Sequence, residues 1–96
     1  MFVFARHDLT LDFPARRAWL GTATVELTAR EWVVLEMLAT RAGRVLARRE
    51  LLEQNWGESS ERGAASLEVL IGRIRRKLSA DLIRTVRGEW YVLECS

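Results

Sequence analysis

The chain has 96 residues, 49% of them hydrophobic, with 15 basic and 13 acidic side chains and a formal net charge of +2. This is a globular composition with material for one core and no low-complexity tract, so a single ordered domain over 1–96 is expected. No apolar run is long enough to span a bilayer, Met1-Phe2-Val3-Phe4-Ala5-Arg6 is not a signal peptide, and the single thiol, Cys95, rules out an internal disulfide, so a cytoplasmic protein without membrane contact is expected.

The first 27 residues alternate short β-prone runs with turn residues. Phe2–Phe4, Leu9–Phe13, Arg17–Leu20 and Thr24–Leu27 read as strands, separated by His7-Asp8, Pro14-Ala15 and Gly21-Thr22, which implies a small antiparallel sheet. The period then changes. Thr28-Ala29-Arg30-Glu31 fits a capping box, with Leu27 and Trp32 placed for a hydrophobic staple. Trp32, Leu35, Met37, Leu38 and Ala39 form the buried side of this first helix and Gly43 its stop. A second helix is predicted over Arg48–Trp56, with Leu51, Leu52 and Trp56 inward and Gly57 ending it. Ala47 at its cap position leaves only half a capping box.

Gly57–Ala65 reads as a polar loop, and a third helix follows over Ser66–Leu78. Leu67, Ile71, Ile74 and Leu78 recur at steps of four, three and four and set its inner side. Two strands, Leu82–Val86 and Trp90–Glu94, close the chain as a hairpin around Arg87-Gly88-Glu89, with Gly88 free to take a positive φ.

Charge is unevenly spread. Residues 1–41 carry five basic and five acidic groups, 42–61 carry three and four, and 62–96 carry seven and four. Arg73-Ile74-Arg75-Arg76-Lys77 puts four cations into five positions. At 100° per residue, the side of the third helix opposite its apolar stripe holds Arg62, Ala65, Ser66, Val69, Gly72, Arg73 and Arg76, with Arg75 and Lys77 flanking. A merely solvated face would carry glutamate–lysine pairs. Small residues, one valine and guanidinium groups suit a helix pressed into DNA: the backbone can approach, Val69 can touch a thymine methyl, and an arginine can fork onto guanine O6 and N7. The remaining cations neutralise phosphates.

Two helices, a basic third helix and a hairpin are the order of a winged helix-turn-helix, an α+β fold. Here the sequence resembles a known family. Leu27-Thr-Ala-Arg-Glu31, Gly43-Arg-Val-Leu46, Arg49-Glu-Leu-Leu52, Trp56-Gly57, Leu67-Glu-Val-Leu-Ile-Gly-Arg-Ile-Arg-Arg-Lys-Leu78 and Ile83-Arg-Thr-Val-Arg-Gly88 are similar to the effector domain of OmpR/PhoB response regulators over nearly the whole chain. The resemblance implies an N-terminal four-stranded sheet, three helices and a C-terminal wing, and sequence-specific binding of double-stranded DNA at direct-repeat half-sites. It places the recognition helix on Ser66–Leu78, with Arg73 as base reader and Arg75 and Arg76 nearby. It places the wing on Arg84–Tyr91, with Arg87 in a minor groove, Thr85 and Tyr91 on the DNA backbone, and Trp56 near phosphate. It also implies an RNA polymerase contact through Glu58, Ser59, Ser60 and Glu61. A phospho-accepting receiver domain, absent from these residues, and a sensor histidine kinase are expected partners if the chain is part of a longer protein. Two departures stand out: the family wing reads Arg-Gly-x-Gly-Tyr where this chain has Arg87-Gly88-Glu89-Trp90-Tyr91, and Leu70 replaces a frequent histidine or tyrosine.

Other function classes find less support. His7 is the sole histidine and lies far in sequence from Cys95, no metal-ligand spacing or phosphate-binding loop occurs, and no nucleophile has a base beside it. No enzyme activity, metal or cofactor is therefore expected. A winged helix serving as a protein-interaction module without DNA binding is the main rival; a steep loss of DNA affinity with salt would separate the two. No aromatic platform for RNA stacking is evident.

Overall fold

The computed structural model describes residues 2–57 and 61–95, Glu61 by its backbone only. Four strands open the chain: β1 (Val3–Arg6), β2 (Leu9–Asp12), β3 (Arg17–Leu20) and β4 (Ala23–Val25). They form an antiparallel meander in that order, with Phe4 opposite Leu11 and Leu11 opposite Ala18. Residues i and i+2 share a face of a strand, so Phe4, Leu9, Leu11 and Ala18 are buried together while Val3 and Ala5 face outward. Phe13, just past β2, is fully buried and meets Trp32 edge-on at 5.6 Å.

Helix α1 spans Ala29–Thr40. Its capping box is complete: the Thr28 hydroxyl accepts from the Glu31 amide at 3.2 Å, and Glu31 Oε1 accepts from the Thr28 amide at 2.8 Å. Val34 joins Trp32, Leu35, Leu38 and Ala39 in the core, whereas Met37 is only half-buried. Helix α2 spans Arg48–Trp56, as the sequence predicts, and ends on Gly57 in the left-handed region at φ 78°. Ala47 offers no side-chain cap. The wing turn supplies the missing acceptor instead, because the Arg48 amide donates to the Glu89 carbonyl at 2.9 Å. An orphan amide of the first turn is thus satisfied from a distant segment.

Helix α3 spans Glu61–Lys77, beginning five residues before the expected Ser66. The predicted loop over Gly57–Ala65 is corrected accordingly: its second half is helix. Arg62-Gly63-Ala64-Ala65 reads as loop because of its glycine, yet Gly63 is buried and Ala64 packs on the core, so burial of the helix outweighs the intrinsic cost of a glycine, about 1 kcal/mol. The apolar stripe seats the helix, with Leu67, Leu70, Ile71, Ile74 and Leu78 all buried.

The wing strands are β6 (Ile83–Val86) and β7 (Trp90–Leu93), and they belong to a three-stranded sheet in the order β5-β7-β6. Strand β5 (Val45–Ala47) is not predicted from sequence. It pairs antiparallel with β7, Leu46 opposite Tyr91. The N-terminal meander is tied to the segment after α3 by a two-pronged bond from Arg6 to Asp81, at 3.2 and 3.1 Å. Arg6 is buried while Asp81 is exposed, and the guanidinium holds the Asp81 carboxyl well below the usual carboxylate range, with help from the Ser79 hydroxyl.

Candidate nucleic-acid interface

The outer side of α3 carries the side chains that the helical wheel assigns to it. Arg62, Ala65, Ser66, Val69, Arg73 and Arg76 are exposed and Gly72 is half-buried. Val69 is 51% exposed, an apolar group left in water. Among the described residues, the guanidinium groups of Arg62, Arg73, Arg76 and Arg87 have no hydrogen-bond or ion-pair partner. The Arg76 side chain folds back toward Gly72: a Cβ on Gly72 would lie 3.7 Å from Arg76 Nη1, an ordinary contact distance.

Beside this face runs a shallow groove of about 440 Å³, lined by Thr28, Arg30, Trp56, Ala65, Ser66, Val69, Leu70 and Arg73. Trp56, at the end of α2, is half-buried and forms one wall. Leu70 is buried at the groove floor, where it packs on the core.

Not every cation of the Arg73–Lys77 cluster points outward. Arg75 donates from Nε and Nη2 to the Ile83 carbonyl at 2.9 and 2.7 Å, and from Nη2 to the Thr85 hydroxyl at 2.9 Å. Lys77 Nζ lies 2.8 Å from Glu31 Oε1. That carboxylate is 1% exposed, and its Oε2 has no hydrogen-bond partner among the described residues. Arg75 therefore joins α3 to the wing, and Lys77 joins it to α1. Sequence reasoning groups all four cations; the structure divides them into two facing outward and two committed inside.

The wing turn is closed by the Glu89 amide donating to the Val86 carbonyl at 3.1 Å. Arg87 and Gly88 both take positive φ, 54° and 70°, so the turn needs a left-handed conformation at a non-glycine residue as well as at Gly88. Arg87 is exposed at the tip. Tyr91 is only 3% exposed and lines a cleft with Glu68, Arg75, Thr85 and Gly88. Burial, and next the charge of Glu68, push its phenol above 10.0, so at neutral pH the hydroxyl keeps its proton and can donate. Glu58, Ser59 and Ser60 lie outside the described residues; Glu61 is the first residue of α3 rather than part of a loop.

Residues 21–93 match the family model described as "Transcriptional regulatory protein, C terminal". The chain belongs to this family of OmpR/PhoB effector domains. Over 90 residues the effector domain is 44% identical to response regulator MprA of Mycobacterium avium, a match covering 90% of this chain and 40% of that protein. MprA of Mycobacterium tuberculosis is equally similar, with 39% of its length covered. Among solved structures, the DNA-binding domain of Klebsiella pneumoniae RstA, in complex with the RstA box, superposes with a TM-score of 0.84 at 30% identity over all of both chains. Thermotoga maritima DrrB, an OmpR/PhoB homologue, gives a TM-score of 0.84 at 27% identity, covering 96% of this chain and 44% of that one. The chain thus spans about two fifths of the length of the curated relatives it matches. The winged-helix effector fold expected from sequence is the one observed, four-stranded sheet, three helices and wing. The family is one of DNA-binding transcription regulators, which is not an enzyme class. No helix among the described residues is long and apolar enough to cross a membrane.

Proposed function

We propose that this effector domain binds double-stranded DNA sequence-specifically as the output half of a two-component response regulator, with α3 in the major groove and the wing in the minor groove. The observation that carries the reading is the outer side of α3: Arg62, Arg73 and Arg76 without protein partners among the described residues, set among Ala65, Ser66, Val69 and Gly72. Unpaired guanidinium groups on a face of small side chains have the donors and the clearance that base edges and phosphates require. Arg73, on the groove, reads a base; Arg62 and Arg76 contact phosphate. Arg75 and Lys77, engaged internally, serve the interface by fixing the helix rather than by direct contact. Thr85 and Tyr91 offer hydroxyls toward the DNA backbone from the cleft between α3 and the wing, and Arg87 enters the minor groove. The complex of RstA with its box, in a relative 30% identical, supports the same use of the fold here.

The wider assignments follow the family reading. In a longer protein a receiver domain, addressed by a sensor histidine kinase, would control binding to direct-repeat half-sites. The segment Glu58–Glu61, at the α2–α3 junction, is the proposed contact to RNA polymerase. Selection from a random duplex library, followed by titration of the selected site at several salt concentrations, tests the central reading. A defined logo and a steep fall of affinity with salt are expected; the absence of both would turn the reading toward a protein-interaction module.

A further inference from the structure

We infer that Arg30, at the start of α1, is a DNA-phosphate contact, and that Trp56 acts as the platform that holds it. The inference rests on the DNA-binding reading above and extends the interface to a helix to which that reading assigns no contact. Arg30 lies far in sequence from the basic cluster, but the fold brings it to the same groove as Ser66, Val69 and Arg73. Its guanidinium carbon sits 4.6 Å from the centroid of the Trp56 ring, and one terminal nitrogen donates to the Asn55 carbonyl at 3.3 Å. No carboxylate pairs with it among the described residues, and Arg30 is exposed.

The arrangement has a physical consequence. A guanidinium has five N–H donors in a planar fork, and one bond to Asn55 leaves most of them unused. A guanidinium over an indole ring is favourable for arginine, and that contact uses none of its N–H donors in hydrogen bonds. The side chain is held between a ring and a carbonyl before any ligand arrives, so less rotamer entropy is lost when a phosphate binds. A solvated arginine with no function needs neither support. Trp56, itself half-buried, presents a flat surface that α2 fixes in place. In this assignment the tryptophan acts through Arg30 and is a positioning residue, while Arg30 touches the DNA.

The test uses the intact domain and its selected duplex, with affinity measured across a series of salt concentrations. Each phosphate neutralised contributes about 0.9 to the slope of log affinity against log salt. Arg30→Ala should lower affinity several-fold at moderate salt and reduce the slope by about that amount. Arg30→Lys keeps the charge without the guanidinium fork; its slope should stay near the parent's while its affinity falls between the two. Trp56→Leu should weaken binding in the parent but add little to Arg30→Ala, because the two act as a unit. Trp56→Phe retains a ring and should behave nearly as the parent. Arg17→Ala, on β3 of the N-terminal meander, removes an exposed cation that does not line the groove and should leave the slope unchanged. A lower melting temperature in Arg30→Ala with parental affinity and slope would make Arg30 a packing residue and overturn the inference. An equal slope change from Arg17→Ala would reduce it to net charge and also overturn it. If the parent itself shows no salt-dependent binding, the DNA-binding reading falls, and this inference with it.

Discussion

Helix α3 and the wing tip both present exposed arginines, by opposite means. Helix α3 is seated by five buried apolar side chains and by two cations turned inward, Arg75 on the wing and Lys77 on Glu31. Its outward-facing residues need only helical geometry, and Arg73 keeps a helical backbone. The strands of the wing reach the core through Ile83, Tyr91 and Leu93, but its tip has no such bed. That tip is a tight turn in which Arg87 itself carries a left-handed backbone, beside Gly88 and the acidic Glu89. The comparison separates two ways of placing a guanidinium: burial on the far side of a regular helix, or local strain in a short turn tied down at its base. The first costs core positions and the second costs conformational energy, so substitutions in the two regions should fail differently.

The largest effect should come from the bed of α3. Ile74 is fully buried, so Ile74→Ala should destabilise the domain by about 2–5 kcal/mol. Chemical denaturation measures this directly, and a loss well below 1 kcal/mol would mean that the helix is not held by its stripe. Next comes Lys77→Met, which leaves the buried Glu31 carboxylate without its cation. A fully buried broken pair costs about 3–5 kcal/mol. Lys77 is one-third exposed, so about 1–3 kcal/mol is the appropriate range once solvent screening is allowed for. The salt slope for DNA should stay parental below the melting transition, since this ammonium faces a carboxylate and not a phosphate. A slope that fell with Lys77→Met would move the residue back to the DNA surface.

Arg73→Ala tests the reading side alone. It should leave stability within a few tenths of a kcal/mol, cost about 1–3 kcal/mol of binding on the selected site and relax selection at one base pair. An unchanged logo would remove Arg73 as the base reader. The smallest effect on stability belongs to the wing. Arg87→Gly relieves a positive φ worth about 1 kcal/mol but restores the chain entropy of glycine, so the melting temperature should barely move. Affinity should nevertheless fall, more on A·T-rich than on G·C-rich flanks, because a narrow minor groove attracts the guanidinium. Equal losses on both flanks would leave the wing as a structural turn.

What could be read before the structure follows the same division. Helices α1 and α2, the left-handed Gly57 and the apolar stripe of α3 are local: each is set by residues within one or two turns of one another, so periodicity and capping suffice. Strand β5 was illegible because three residues carry no period, and Val45–Ala47 becomes a strand only against β7, more than 40 positions away. The first turn of α3 was hidden by Gly63, whose burial is a tertiary matter. For the site, the wheel separates inner from outer positions but cannot say where a flanking side chain ends. Arg75 and Lys77 have long stems, and their partners Ile83, Thr85 and Glu31 lie on other elements. Arg30 escaped for a similar reason, since its supports Asn55 and Trp56 are a helix away. Its signal in the sequence was only an arginine inside a capping box.

The Glu31–Lys77 pair carries one more consequence, in the fields of the helices it joins. Glu31 is in the first turn of α1, at the positive end of that helix, and Lys77 is the last residue of α3, at the negative end of the other. Each side chain therefore offsets the macrodipole of its own helix as well as the charge of its partner. Exchanging the two to Glu31→Lys with Lys77→Glu would preserve an ion pair on paper, yet it would set like sign against like at both helix ends and remove the acceptor of the Thr28 amide. The swapped protein should consequently be less stable than Lys77→Met alone, although its net charge is that of the parent. The contact has a direction as well as a distance, and that direction fixes which end of α3 may lie against α1.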